Sequence, residues 1–299
     1  MIRPARFRSN PQTAASNAFQ QADADHDAAA VQQLAEQEFE ALANALKNAG
    51  VNVLIYADTP SPDKPDAVFP NNWLSTHADG SVVLYPMQAG NRRIERRPDI
   101  VANLAAANGF NVGSTIDLSD AEQQEAFLEG TGSMVLDRAN RIVYACLSPR
   151  THRSTLERWC THFSYEAVTF SALSNGQPIY HTNVMMSVGE RQAIVCLASI
   201  QSDGEREQVR SRLEATGHEI VDITPAQMNA FAGNMLELTS ADGRAVIVMS
   251  QRAYDSLDDA QRAQISRHAR IVSVPITTIE DHAGGGVRCM LAEIFLPRD

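Results

Sequence analysis

The stretch Phe69-Pro70-Asn71-Asn72-Trp73-Leu74-Ser75 begins a pattern that the chain repeats. A polar turn at 78–80, a strand over 81–85, a helix over about 98–108 and a strand over 111–118 follow it. Later segments begin in the same way, with small or polar residues before a large apolar one. These apolar residues recur at intervals of roughly 50 to 60 residues, which indicates structural repeats: Trp73, Met134, Met185, Met235 and Met290.

The two ends of the chain complete the set of repeats. The fifth segment, at 286–290, has no helix after it, whereas the N-terminal part has a predicted helix over 31–48 and a predicted strand over 51–56. Joining these pieces gives five ββαβ units around a pseudo-fivefold axis. We therefore predict an α/β fold in a single domain over residues 1–299. Two unrelated α/β halves are the alternative, but they do not explain why the units begin alike.

The composition narrows the functional classes. The chain has 299 residues, 44% of them hydrophobic, and a formal net charge of −11. Nucleic acid and anionic membranes require basic surfaces, so neither is an expected partner. The four cysteines contain no CxxC pair, which gives no signal for a zinc site or a disulfide framework. The N-terminal residues contain no apolar leader-like run, so we expect a soluble, cytoplasmic protein.

A glycine run near the end of the sequence places a thiol behind a flexible turn: Gly284-Gly285-Gly286-Val287-Arg288-Cys289-Met290-Leu291. Glycine lets the backbone approach a ligand closely. A cysteine acts as a nucleophile only as its thiolate, which a nearby cation such as Arg288 favours. A buried structural cysteine is the simpler interpretation of Cys289 taken alone.

The other repeat starts supply partners for this thiol. If the five starts converge on one axis, Glu129 and His181 face Cys289, together with Asn72 and Asn183. A thiol, an imidazole that moves protons and a carboxylate are the groups that nucleophilic catalysis requires. Taken singly, the histidine could be structural, and the glutamate and asparagines could be turn residues. The other seven histidines are expected at the surface.

Five motifs together match a known pattern: Gly284-Gly285-Gly286-Val287-Arg288-Cys289-Met290, Phe127-Leu128-Glu129-Gly130, His181-Thr182-Asn183, Ser148-Pro149-Arg150-Thr151 and Asn91-Arg92-Arg93-Ile94-Glu95. The chain thereby resembles the guanidine-modifying enzymes of the pentein superfamily, which are the arginine deiminases, dimethylarginine dimethylaminohydrolases and amidinotransferases. The start at 69–73 narrows the resemblance to a bacterial branch of amidinotransferase-like or citrulline-utilisation hydrolases. The resemblance implies the pentein α/β-propeller fold.

The resemblance also implies roles for individual residues. Cys289 is expected to be the covalent nucleophile, His181 the general acid and base, and Glu129 a substrate-binding, proton-handling carboxylate. The candidate substrate-binding residues are Asn72, Asn183, Arg92, Arg93, Arg150 and Arg288. Arg150 and one of the two neighbouring arginines at 92 and 93 are expected to bind a carboxylate. No metal or other cofactor is expected. The loop over 60–65 is a candidate lid.

Two asparagines depart from the family pattern and bear on the substrate. Deiminases of the family have aspartate where this chain has Asn72 and Asn183, and those aspartates hold a cationic guanidinium. An amide can donate to a carbonyl oxygen and accept from an N–H group, which suits a neutral ureido group. We therefore expect hydrolysis of citrulline to ornithine, ammonia and carbon dioxide.

Several alternatives stay open at this stage. Deimination of arginine or a related guanidine is one, and amidino transfer to a second amine is another. A non-catalytic binding module is a third, because the same fold occurs without this chemistry. The expected partner is a small ureido or guanidino amino acid, and a homodimer is left open.

Overall fold

The computed structural model describes residues 1–20 and 27–298. Four three-stranded sheets share one topology, in which the first two strands are antiparallel and the third is parallel to the second. Their strands are β3 (Leu74–Thr76), β4 (Ser81–Leu84) and β5 (Ser114–Asp117); β6 (Val135–Asp137), β7 (Ile142–Cys146) and β8 (Glu166–Phe170); β11 (Met186–Val188), β12 (Gln192–Val195) and β13 (Glu219–Asp222); and β14 (Leu236–Thr239), β15 (Ala245–Ser250) and β16 (Arg270–Val274).

Helices connect the second and third strands of each sheet, as the repeat pattern predicts. They are α3 (Gly90–Arg93) with α4 (Pro98–Ala106), α6 (Arg153–Phe163), α7 (Asp203–Ala215), and α9 (Gln251–Ser256) with α10 (Asp259–Ser266). The remaining elements lie between units or at the ends: β1 (Ile2–Arg3), α1 (Pro11–Ala14), α2 (Ala28–Asn48), β2 (Tyr56–Ala57), α5 (Gly130–Ser133), the hairpin β9 (Leu173–Ser174) and β10 (Gln177–Pro178), α8 (Pro225–Asn229) and α11 (Thr277–Ala283).

The N-terminal helix α2 begins three residues earlier than predicted. The Asp27 side chain accepts a hydrogen bond from the Ala29 N–H and so caps an otherwise unpaired backbone donor. Phe39, Leu42 and Leu46 are fully buried along one face, in a core layer that also holds Cys289. This helix therefore packs its apolar stripe beneath the C-terminal turn that carries the thiol.

The strand predicted over 51–56 is mostly unpaired. Only Tyr56–Ala57 pairs, in parallel with Ile2–Arg3. The ladder is short because Pro4 follows β1 and has no N–H to donate. The N-terminal amine instead donates to the Leu54 carbonyl at 2.9 Å. The order of strand, helix and parallel strand nevertheless matches the last three elements of the other units.

Four of the five unit starts are helical turns, whereas the predicted ββαβ pattern places a strand at each start. Three are 3-10 turns, at Pro70–Asn72, Thr182–Val184 and Val287–Met290, and one is α5. The Pro70–Asn72 turn contacts both α5 and the Val287–Met290 turn, and α5 contacts the Thr182–Val184 turn. Asn234 completes the circuit, because its amide bonds to the Asn183 carbonyl and to the Arg288 N–H. The five starts therefore meet at the centre of the molecule.

Four apolar layers surround this centre, and the largest packs the third and fourth sheets against α7, α9 and α10. Within the described residues, no helix is long and apolar enough to cross a membrane.

Candidate active site

Cys289 lies on the last helical turn, directly after α11 and the glycine run. Gly284 ends α11 with a left-handed backbone at φ 62°. A Cβ at this position would stand 2.5 Å from the Gln20 backbone nitrogen, so a larger residue would displace the N-terminal segment. The glycine run thus allows the close backbone approach predicted from the sequence.

The Cys289 sulfur is surrounded by amides. The Nδ2 groups of Asn183 and Asn234 each donate to Sγ at 3.4 Å, and the side chain is 3% exposed. Arg288 lies elsewhere, because its guanidinium donates to the Leu291 carbonyl and to Glu293 at 2.8 and 2.9 Å. The structure thus places the Arg288 guanidinium away from the thiol and outside the walls of the pocket, because adjacent residues on the turn point to different sides.

Glu129 and His181 form a buried pair at the same centre. His181 Nε2 and Glu129 Oε2 are 2.8 Å apart, and Glu129 Oε1 accepts a hydrogen bond from the Gln88 N–H. Burial lowers the pKa of His181 to about 4, against the opposing effect of the Glu129 carboxylate. Burial alone would raise the pKa of Glu129, but Arg150, His181 and Arg92 together lower it to about 2. At neutral pH a neutral imidazole therefore donates its Nε2 proton to an ionised carboxylate.

Arg92 is fixed by protein groups on all sides. Its Nε and Nη2 donate to the two oxygens of Glu95 at 3.0 and 2.9 Å, and Nη1 donates to Asn72 Oδ1 at 2.9 Å. Burial raises the pKa of Glu95 to about 7, against the opposing charge of Arg92. Arg93 points away, toward the Met87 carbonyl and Glu122. The structure thus places Arg92, and not Arg93, at the site. The Arg92 guanidinium already binds the Glu95 carboxylate through two of its nitrogens.

Arg150 makes contacts that a ligand could replace. Its Nη2 donates to the Thr13 carbonyl at 3.2 Å and to the Ser16 hydroxyl at 2.6 Å, and its guanidinium lies over the Tyr180 ring. Nη1 is 3.6 Å from Glu129 Oε2. A planar guanidinium can bind a carboxylate in a bidentate manner, and in this structure the Arg150 guanidinium binds the N-terminal segment instead.

A small pocket joins these groups. It has a volume of about 10 Å³, room for about one water molecule. Its walls are Thr13, Asn17, Asp66, Phe69, Asn72, Arg92, Arg150, Tyr180, His181, Ala283, Gly285 and Cys289. Thr13 and Asn17, in the N-terminal segment over 10–20, form one side of it. The loop predicted as a lid is instead held by Lys64, which pairs with Asp58 at 3.1 Å and lies outside these walls.

Sequence reasoning missed Asp66 at the pocket. Its Oδ2 accepts a hydrogen bond from Asn10 at 2.7 Å, while Oδ1 is buried without a hydrogen-bond partner. The residue stands just before the first repeat start, so the repeat pattern could not assign it to the centre. The sequence gives no sign that this aspartate is buried, because charged residues are mostly exposed.

The comparisons with known proteins decide the family. A family model described as N,N dimethylarginine dimethylhydrolase, eukaryotic, matches residues 3–296. The chain belongs to this family. The family and its solved structural neighbours are guanidino-modifying enzymes of the pentein superfamily, which confirms the resemblance read from the sequence. No curated protein matches the chain.

Solved structures share the fold of this family member at low sequence identity. The N-terminal domain of ArgZ, an arginine dihydrolase from the ornithine-ammonia cycle in Cyanobacteria, bound to substrate, superposes with a TM-score of 0.73 at 16% identity, over 99% of this chain and 98% of that one. Unliganded AgrE gives a TM-score of 0.74 at 17% identity, over 100% of this chain and 39% of its own. A dimethylarginine dimethylaminohydrolase adduct with S-methyl-L-thiocitrulline gives 0.64 at 15% identity, over 97% and 96%.

Proposed function

We propose that this protein is a cysteine-dependent hydrolase of a free amino acid with a terminal ureido or guanidino group, and that citrulline is its preferred substrate. One observation carries the proposal: two amide groups beside Cys289 have buried, unpaired polar atoms. These atoms are Nδ2 of Asn72, a donor, and Oδ1 of Asn183, an acceptor. A buried polar atom without a partner is costly, so a ligand that supplies the matching groups is favoured.

A ureido group supplies those partners. Its carbonyl oxygen accepts from an amide N–H, and its own N–H groups donate to an amide oxygen. The carboxylates that hold the guanidinium in deiminases are replaced here by neutral amides. Leaving a buried cation without its counter-charge costs several kcal/mol, or roughly a thousandfold in affinity. The neutral substrate therefore fits this part of the pocket better.

The amino-acid end of the substrate would meet charged groups. Arg150 would exchange its contacts with the N-terminal segment for the α-carboxylate, and the free Oδ1 of Asp66 would accept a hydrogen bond from the α-ammonium group. Arg92, already bound by Glu95, would hold Asn72 in place rather than bind the carboxylate itself.

The proposed reaction passes through a covalent intermediate. His181 first takes the thiol proton of Cys289, and the resulting thiolate forms a bond to the ureido carbon. The bond from that carbon to the δ-nitrogen breaks, and the imidazolium of His181 gives its proton to the leaving amine, which departs as ornithine. His181 then removes a proton from a water molecule that attacks the carbamoyl-cysteine. The thiolate leaves, and the released carbamate decomposes to ammonia and carbon dioxide.

Arginine is the second candidate substrate, and Asp66 favours it. The two asparagines carry no charge, but Asp66 does, and its free oxygen could offset part of a guanidinium charge. The neighbour ArgZ is described as an arginine dihydrolase. In this chain the same reaction would require loss of one ammonia from arginine before the ureido step. Amidino transfer to an amine remains a third possibility that only an acceptor assay addresses.

We also infer that the five units surround a pseudo-fivefold axis within one domain over residues 1–299. The closed circuit of contacts among the unit starts and the β1–β2 pairing support it.

An end-point assay tests the function. Purified protein is given citrulline or arginine under identical conditions, with ornithine and ammonia measured and Cys289→Ser as the blank. We expect ornithine from citrulline. Turnover of arginine with none of citrulline would overturn the substrate assignment. The double variant Asn72→Asp with Asn183→Asp should lose activity on citrulline and gain it on arginine.

A further inference from the structure

The sulfur of Cys289 is held by a neutral amide whose orientation the fold fixes. Asn234 Oδ1 accepts the Arg288 backbone N–H at 3.0 Å, and its Nδ2 donates to the Asn183 carbonyl at 2.9 Å and to Cys289 Sγ at 3.4 Å. Turning the amide over would lose all of these bonds. The N–H group is therefore directed at the sulfur in a defined way.

Asn183, the other amide on the sulfur, is not fixed in this manner. Its Nδ2 donates to Sγ at 3.4 Å, but its Oδ1 is buried without a partner. Asn183 is thus available to a substrate, whereas the side-chain polar atoms of Asn234 are fully used within the protein. The two asparagines divide between binding a ligand and holding the nucleophile.

Two glycines make room for Asn234. A Cβ on Gly286 would lie 2.7 Å from Asn234 Oδ1, and a Cβ on Gly233 would lie 2.4 Å from the Val184 carbonyl. Neither glycine has a positive φ, so close approach, not backbone freedom, requires them. The absence of a side chain at both glycines therefore allows the Asn234 amide to reach the sulfur.

The cations of the centre are engaged by other groups. Arg288 bonds to Leu291 and Glu293, and Arg92 bonds to Glu95. His181 donates to Glu129. A thiolate is a stronger acceptor than a thiol, and hydrogen bonds to a charged acceptor are roughly twice as strong as neutral ones. An amide donor therefore favours the charged form of the sulfur.

We infer that Asn234 is a further residue of the catalytic centre, which stabilises and orients the Cys289 thiolate by an amide hydrogen bond. This inference rests on the proposed role of Cys289 as nucleophile. It requires no cation beside the thiol, and it assigns a reason to the Gly233-Asn234 pair in the fourth unit.

The test measures thiol reactivity without any substrate. Asn234→Asp keeps the shape of the side chain but replaces the donor with a carboxylate. Asn52→Asp, at an exposed position, adds the same charge and serves as the control. The rate of iodoacetamide labelling at Cys289 is followed against pH by peptide mass spectrometry, and thermal unfolding is recorded for each variant.

We expect Asn234→Asp to lower the labelling rate near pH 7 about tenfold and to move the labelling profile to higher pH. At strongly alkaline pH its rate should approach that of the parent. Asn234→Ser, which keeps a shorter hydroxyl, should shift the profile in the same direction by less, and it replaces the aspartate variant if that one fails to fold. Asn52→Asp should match the parent.

An unchanged pH profile in both Asn234 variants would overturn the inference, even if turnover falls. A shifted profile in a protein that hydrolyses neither citrulline nor arginine would uphold it and reject the proposed function instead.

Discussion

Two regions of the molecule hold buried cysteines that differ in the polar atoms facing the sulfur. Cys146, Cys160 and Cys196 lie in apolar layers, where burial raises the pKa of each thiol, to about 12 for Cys146 and about 11 for Cys160. Cys289 is as deeply buried, but two amide N–H groups face its sulfur.

The difference predicts that burial alone does not decide whether a cysteine of this chain is reactive. The apolar layers offer the three other thiols little that would stabilise a negative charge, so those thiols stay protonated and serve as packing. The centre of the molecule collects polar groups from all five unit starts. Position in the repeat, and not exposure, thus distinguishes the candidate nucleophile.

The largest effect is expected from removing the nucleophile. Cys289→Ser should reduce ornithine formation by roughly a thousandfold or more, because a hydroxyl is a far weaker nucleophile than a thiolate. Cys160→Ala is the matched control and should keep full turnover at a cost of about 1 kcal/mol in stability. Equal activity in the two variants would remove the contrast between the regions.

Glu129→Gln comes next. The change keeps the volume but removes the carboxylate that His181, Arg150 and Arg92 share. Loss of the anion lowers the pKa of His181 further and leaves the buried guanidinium of Arg150 without its carboxylate, which costs about 3 kcal/mol or more. We expect turnover to fall about a hundredfold and the melting temperature to fall by several degrees. A variant with parental turnover would show that the pair is structural.

Arginine substitutions should separate groups inside the pocket from groups outside it. Arg150→Lys keeps the charge but loses the fork, so KM should rise about tenfold with little change in kcat. Arg93→Lys, outside the pocket walls, is the control and should leave both constants unchanged. A matching rise in KM for Arg93→Lys would contradict the assignment of Arg92 and Arg150 to the site.

The smallest effect concerns two buried histidines. Burial lowers the pKa of His77, which stacks on Phe163, to about 4, as it does for His181. Each binds fewer protons when folded than when unfolded, so stability should fall as pH drops from about 6.5 toward 4. His77→Gln should reduce this loss and keep activity. Urea unfolding at pH 7 and pH 5 measures the first effect; a steeper loss in His77→Gln would refute it.

Periodicity could predict much of this arrangement. Glu129, His181 and Cys289 each stand within five residues before the aligned apolar residue of their units, and the structure places them at the centre. The prediction of a strand at each unit start was wrong, because the proline, glycine and asparagine residues there favour turns over strands. The expectation of surface histidines was also wrong for His77, His218 and His282, which are buried, because polar partners at those sites are visible only in three dimensions.

The position of the N-terminal segment over 10–20 in the wall of the pocket could not be predicted from the sequence. Its helix α1 has four residues and no apolar stripe, and it is held by polar contacts to distant groups such as Arg150, Asp66 and Ala283. Such contacts depend on tertiary folding and leave no periodic signal in the sequence. The same reason hid Asp66 and the bond from Asn234 to the thiol.

Competition among the four cysteines tests the central claim most directly. The native protein is treated briefly with a haloacetamidine or iodoacetamide, and peptide mass spectrometry measures the label on each thiol, with and without citrulline present. The account predicts one label per chain, on Cys289, that citrulline suppresses. Slow and equal labelling of Cys146, Cys160, Cys196 and Cys289, unaffected by citrulline, would contradict an activated thiol and favour a binding module without catalysis.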